Sequence, residues 1–147
     1  MSQSRTAGIT PAAVVLRVAI VALALSTAYI HSQLGGLLFT LNAVGYVVAA
    51  VAKVIPLGLA IRFRWVVRLG LMGYAATTIL GWAIQGPYYS TAFIAKGIEV
   101  ALIVVLAADF VRADGNPVAK VRSELAAGLA WISARRASSG AASGAAA

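Results

Sequence analysis

Lys96 and Glu99 stand three positions apart in Thr91-Ala-Phe-Ile-Ala-Lys96-Gly-Ile-Glu99-Val-Ala-Leu-Ile-Val-Val-Leu, an otherwise almost wholly apolar segment. An ionised carboxylate at such depth costs roughly 3 kcal/mol or more in lipid unless it is paired, neutralised or wet, so it marks a functional site by default. The chemistry open to it is uptake of a proton or cation, or binding of a polar group. The blander expectation is internal pairing: residues three apart share a helix face, and Lys96 can reach outward to water. Three further residues join the candidate ligand- or proton-binding set, namely Asn42, Tyr46 and Thr77.

Other chemistry is missing. The 147 residues contain no cysteine and one histidine, His31, with four acids in all. That leaves no disulfide, no thiolate, no zinc or di-iron ligand set, and no bis-histidine haem within one chain. Ser26 and Ser32 lie near His31 without an acid, so no hydrolase triad is expected. His31 reads as an interfacial polar residue at the end of the first span. No phosphate-binding glycine motif occurs. The expectation is a protein without a catalytic residue, a metal or a cofactor, not an enzyme.

The elements that must position Glu99 are transmembrane helices. Hydrophobic residues make up 61 % of the chain and charged ones 11 %, far from a soluble composition. Four apolar stretches, near residues 12–30, 36–55, 65–85 and 89–111, are long enough to cross about 30 Å of hydrocarbon. Thr10-Pro11 reads as an N-cap followed by proline at the first helical position. Pro56 and Gly86-Pro87 end the second and third spans. The expected fold is an all-α membrane protein: an antiparallel four-transmembrane-helix bundle over residues 1–112. A short amphipathic cytoplasmic helix (113–136) and a disordered low-complexity tail (137–147) complete it.

Basic residues set the orientation. The connections around His31–Gly35 and Gly86–Ser90 carry no lysine or arginine, whereas the central loop has Arg62 and Arg64 flanked by Lys53 and Arg68. Arg5 and Arg17 lie at the N-terminus, and Arg112, Lys120, Arg122, Arg135 and Arg136 in the tail. The positive-inside rule then places both termini in the cytoplasm. The net charge of +8 is accounted for by this topology and by anionic headgroups, with no need of nucleic acid. A cleaved secretory signal ending near Ser26-Thr27-Ala28 is the rival for the first span, whose full span length favours a retained helix.

At about 100° per residue, each span has a small or polar face. In span two Asn42, Gly45, Tyr46, Ala49 and Lys53 oppose Val44, Val47, Val48 and Val51. Span three has Gly70, Gly73, Tyr74, Thr77 and Gly81; span one has Ala19, Ala22, Ser26 and Tyr29; span four has Ala92, Ala95, Lys96 and Glu99. These faces are expected to form the interior, with a polar pocket in its outer half. In the tail, Asn116-Pro117 opens a helix on which Val118, Val121, Leu125, Leu129 and Ile132 recur, with Trp131 as interface anchor.

Four spans and a buried glutamate are similar to the small multidrug-resistance transporters. In those the coupling carboxylate lies in the first span, where this chain has only Arg17, so no residue role carries over. The leading expectation is an accessory or assembly subunit of a larger complex in a bacterial inner membrane, partnered by the lipid bilayer and by other membrane subunits or a second copy. The alternative is a small transporter or exterior-facing ligand-binding protein with Glu99 as its proton or cation site.

Overall fold

The computed structural model describes residues 10–55 and 63–144, with side chains through residue 136. Every described element is helical: α1 (Pro11–Gln33), α2 (Leu37–Val54), α3 (Arg64–Gln85), α4 (Ser90–Asp114) and α5 (Pro117–Gly144). No strand occurs among the described residues. Arg5, Pro56 and Arg62, which entered the topology argument, lie outside them.

Helices α1 to α4 hold 23, 18, 22 and 25 residues, and each is long and apolar enough to cross a membrane. At about 1.5 Å per residue they measure ~27–38 Å. Four such helices fit a small multi-pass membrane protein, and the exposed residues agree. Val44, Val47, Val48 and Val51 of α2 are all exposed, as are Val14, Val15, Val18 and Leu25 of α1. So much outward apolar surface is stable against lipid and costly against water.

Local chemistry explains the helix ends. The Ala13 amide lies 3.4 Å from the Thr10 hydroxyl oxygen, and Pro11 occupies the first turn, where its missing N–H costs nothing. Gly35 and Gly36 turn the chain between α1 and α2 with φ of 69° and 82°, a region where a side chain would clash. Asn116 opens α5 by accepting from the amides of Val118 and Ala119 at 2.9 and 3.2 Å.

The chain divides into two compact units, Met1–Phe110 and Val111–Ala147. In the first, one core joins residues of all four long helices: Ile20, Ala24 and Ala28, Ala43, Tyr46 and Ala50, Leu71 and Ala75, Leu102 and Leu106. In the second, α5 exposes Val118, Leu125, Leu129, Trp131 and Ile132. Lys120 pairs with Glu124 at 2.7 Å, and the hydrogen bond to that carboxylate raises the Lys120 pKa. The Arg135 guanidinium stacks 4.2 Å over Trp131. The helix continues through Gly144, into the Ala-rich stretch that composition reads as a tail; alanine is also the strongest helix former.

Two expected faces are rotated. The buried face of α1 is Ile20, Ala24, Thr27, Ala28 and His31, whereas Ala22, Ser26 and Tyr29 are exposed and Ala19 half-buried. On α3 the buried residues are Arg68, Leu71 and Ala75. Gly70, Gly73 and Gly81 face open space, with no atom near where a Cβ would stand. Alanine recurs all round α1, so small size does not single out a face there; on α3 the buried Arg68 turns the helix toward its acid partner.

One glycine does make a close approach. A Cβ on Gly45 would lie 2.6 Å from the Tyr74 hydroxyl oxygen and 2.9 Å from Cζ. Tyr74 is held there by donating to the Asn42 carbonyl at 3.2 Å and by edge packing on Tyr46 at 4.9 Å. Gly45→Ala should therefore destabilise the protein by about 1–3 kcal/mol, although the helical exchange alone would gain ~1 kcal/mol. Thermal unfolding in detergent measures this; a variant as stable as the parent would refute the clash.

Candidate ligand-binding site

Glu99 is fully buried at the meeting point of α1, α3 and α4. Its Oε2 accepts from Lys96 Nζ at 2.7 Å and from the Thr78 hydroxyl at 2.8 Å. Its Oε1 lies 3.4 Å from the Thr27 hydroxyl and 3.6 Å from His31 Nε2. Lys96 also donates to the Thr78 carbonyl at 3.3 Å. The buried carboxylate thus has a charged partner and hydroxyl donors, which its burial requires.

The hydrogen-bond inventory constrains protons here. His31 Nδ1 lies 2.8 Å from the Thr27 carbonyl, which can only accept, so Nδ1 carries a proton and donates. The approach of Nε2 to Oε1 is then attractive only when a further proton sits on one of them. Thr78 has one hydroxyl proton for two acceptors, Glu99 Oε2 and the Ala75 carbonyl at 2.9 Å. The Tyr46 hydroxyl lies 3.2 Å from Thr78 Oγ1 and extends the chain onto α2. Glu99, Thr78 and Tyr46 form one hydrogen-bonded chain, with His31 3.6 Å from the carboxylate at its inner end.

A cavity of about 450 Å³ opens beside this network, near the α1–α2 and α3–α4 turns. Phe39, Leu38, Leu41, Trp82, Pro87 and Tyr89 give it an apolar wall, while His31, Asn42, Thr78 and Lys96 supply polar groups. Trp82 is fixed by donating to the Pro87 carbonyl at 2.8 Å and by edge contacts with Tyr88 and Phe93. Asn42 Oδ1 is buried without a hydrogen-bond partner. An apolar wall with few convergent polar groups, at this volume, is the usual form of a small-molecule site.

Of the residues expected from the sequence, Lys96 and Glu99 pair at the centre and Tyr46 joins through Thr78. Asn42 lines the cavity. Thr77 lines it too, but its hydroxyl is turned back onto the Gly73 carbonyl at 2.8 Å, and Thr78 makes the bond to Glu99 instead. Two contributors, Thr27 and His31, were not expected. His31 is 3 % exposed and belongs to this network rather than to the interface.

A second buried charge cluster lies toward the other ends of these helices. Lys53 of α2 bonds to Asp109 Oδ2, and Arg68 Nε of α3 reaches the same oxygen at 2.7 Å. Glu99 is therefore not the only deeply buried carboxylate. The visible clue was complementary charge at matching depth: Lys53 near the end of α2, Arg68 near the start of α3, and Asp109 near the end of α4. Comparison with protein-family models, curated proteins and solved structures gives no match, so the chemistry rests on this geometry alone.

Proposed function

We propose that this is a non-enzymatic, ligand-binding membrane protein that holds a small, largely apolar molecule carrying a hydrogen-bond donor. The observation behind this reading is the cavity of about 450 Å³, aromatic in its wall, with Asn42, whose Oδ1 is unpartnered, and Lys96 among its lining residues. An orphaned buried acceptor favours a ligand hydroxyl or amide N–H. The flat wall of Trp82 and Tyr89 favours an aromatic or polyene body. Glu99 and His31 are the groups that take up a proton or cation if binding is coupled to transport.

In this reading α1 to α4 are an antiparallel bundle in a bacterial inner membrane, supported by the short turns at residues 34–36 and 86–89. Both termini are cytoplasmic, by the lysine and arginine distribution, and the cavity opens outward. The amphipathic α5 lies along the cytoplasmic lipid surface, with Trp131 at the interface.

The test uses 2-naphthol and naphthalene as probes of the protein in lipid nanodiscs, read by quenching of Trp82 emission. We expect saturable binding of 2-naphthol, weakened about fivefold by Asn42→Ala, the equivalent of roughly 1 kcal/mol for one hydrogen bond. Gly81→Phe should abolish it, since Gly81 lines the cavity and has open space around it. Quenching that is unsaturable, or unchanged in Gly81→Phe, would sink the pocket. A second reading would then lead, that of an accessory subunit. It is favoured by the exposed glycines Gly70, Gly73 and Gly81 of α3, a surface suited to close approach of another helix.

A further inference from the structure

We propose that Arg17, Lys53, Arg64 and Arg68, at the Asp109 end of the helices away from the cavity, hold a phosphate-bearing anion, the headgroup of an acidic phospholipid. Four helices contribute to this cluster, so it is a product of the fold and not of one basic loop. Lys53 and Arg68 are 2 % and 7 % exposed, and both converge on one oxygen of Asp109. Arg17 lies within electrostatic range of Lys53 and Arg64, and Arg64 within range of Arg68 and Asp109. Two cations bond to Asp109 and two more lie around them, so these five groups carry an excess of three positive charges.

Excess charge of one sign in a largely apolar setting is unstable without a counter-ion. The structure also contains an unused donor: Arg64 Nε is buried and has no hydrogen-bond partner. Guanidinium groups present their N–H donors in a planar fork matched to the oxygens of a phosphate. The surroundings favour a lipid as its source. Val14, Val15 and Val18 of α1, Val51 and Val54 of α2, and Val66 of α3 are exposed toward this same end, giving acyl chains an apolar surface beside the arginines. Basic pockets between spans on the lysine- and arginine-rich side bind anionic headgroups in this way. The inference is independent of the cavity and of any ligand there.

The test compares the intact protein in detergent with the double variant Arg17→Gln/Arg64→Gln, neither residue being fully buried. Dioleoyl phosphatidylglycerol, dioleoyl phosphatidylcholine and inorganic phosphate are titrated separately. Retention is read by native mass spectrometry and stabilisation by thermal unfolding. We expect phosphatidylglycerol to be retained at least ~tenfold better than phosphatidylcholine, and the preference to vanish in the double variant. Arg17→Lys/Arg64→Lys should keep part of it, having charge without the fork. Phosphate that stabilises equally and displaces phosphatidylglycerol would keep the anion site but overturn the lipid as its source. Equal retention of the two lipids, or a preference that survives in the folded double variant, would overturn the site. Should that variant not fold, roughly tenfold more salt shortens screening about threefold and must erode the parent's preference; an unchanged preference overturns it equally.

Discussion

Glu99→Ala is expected to lower the stability of the folded protein by about 3–5 kcal/mol, the loss typical of removing one partner from a buried ion pair. The carboxylate is fully buried, and its removal leaves Lys96, 9 % exposed, without its anionic partner and with the Thr78 carbonyl as acceptor. Thr27, Thr78 and His31 lose their common partner in the same step. The penalty is one of orphaned groups, not of a missing attraction. The double variant Lys96→Met/Glu99→Leu should therefore recover the part of the loss due to Lys96, because buried pairs exchanged for apolar residues of similar volume are often neutral. Thermal unfolding of parent, single and double variants in one detergent measures the cycle. A double variant less stable than Glu99→Ala would show that the pair contributes net stability.

The same set separates structure from function. The double variant removes the charged pair beside the cavity and leaves Asn42, His31 and Thr78 in its lining. If the site serves only packing, that variant folds and loses nothing else. Under the binding reading it folds, yet holds 2-naphthol more weakly than the parent does, while Asn42 still favours 2-naphthol over naphthalene. Glu99→Gln adds a second distinction: it keeps the side-chain shape and an acceptor for Thr78, and removes only the titratable charge. Unchanged pH-coupled uptake or efflux in Glu99→Gln would remove Glu99 from any proton-coupled step.

Much of this was legible in the residue order, for identifiable reasons. The helix count followed from apolar length, and the helix starts at Pro11 and Pro117 from cap chemistry that acts within one turn. The buried face of α4 was readable because Lys96 and Glu99 are the two charges in its apolar middle, and that of α2 because valines mark its opposite side. On α1 the residues at Ser26 and Tyr29 and those at Thr27 and His31 compete with nearly equal claims. Only the carboxylate on α4, distant in sequence, selects Thr27 and His31. Thr77 and Thr78 differ by one position and 100° of rotation, which helical periodicity with a one-residue error cannot separate. Lys53 falls on the interior face that the valines of α2 define, but Arg68 reads only as a loop-flanking topology signal, because lysine and arginine cluster at span ends in any case. The shared partner of the two is Asp109, whose depth in α4 is clear only once the helix is known to continue to Asp114.

Asp109→Asn should be at least as damaging as Glu99→Ala, again about 3–5 kcal/mol, since two buried cations lose their shared anion. An asparagine oxygen still accepts a hydrogen bond but brings no charge to offset Lys53 and Arg68. The reverse change, Lys53→Met, should be milder: Asp109 keeps Arg68 at 2.7 Å, and the local excess of positive charge falls. Asp109→Asn and Lys53→Met, each altering one member of the same contact, are thus expected to differ clearly in thermal unfolding. Equal losses would mean that the contact acts by packing and not by charge. Lipid sharpens the prediction further. Removing the one carboxylate raises the excess at this end from three positive charges to four, so an anionic headgroup should recover more stability in Asp109→Asn than in the parent. The deficit of Asp109→Asn measured in phosphatidylglycerol should then be smaller than in phosphatidylcholine, and Lys53→Met should have the opposite sense. Identical deficits in the two lipids would leave the cluster as an internal ion pair with no use for an external anion.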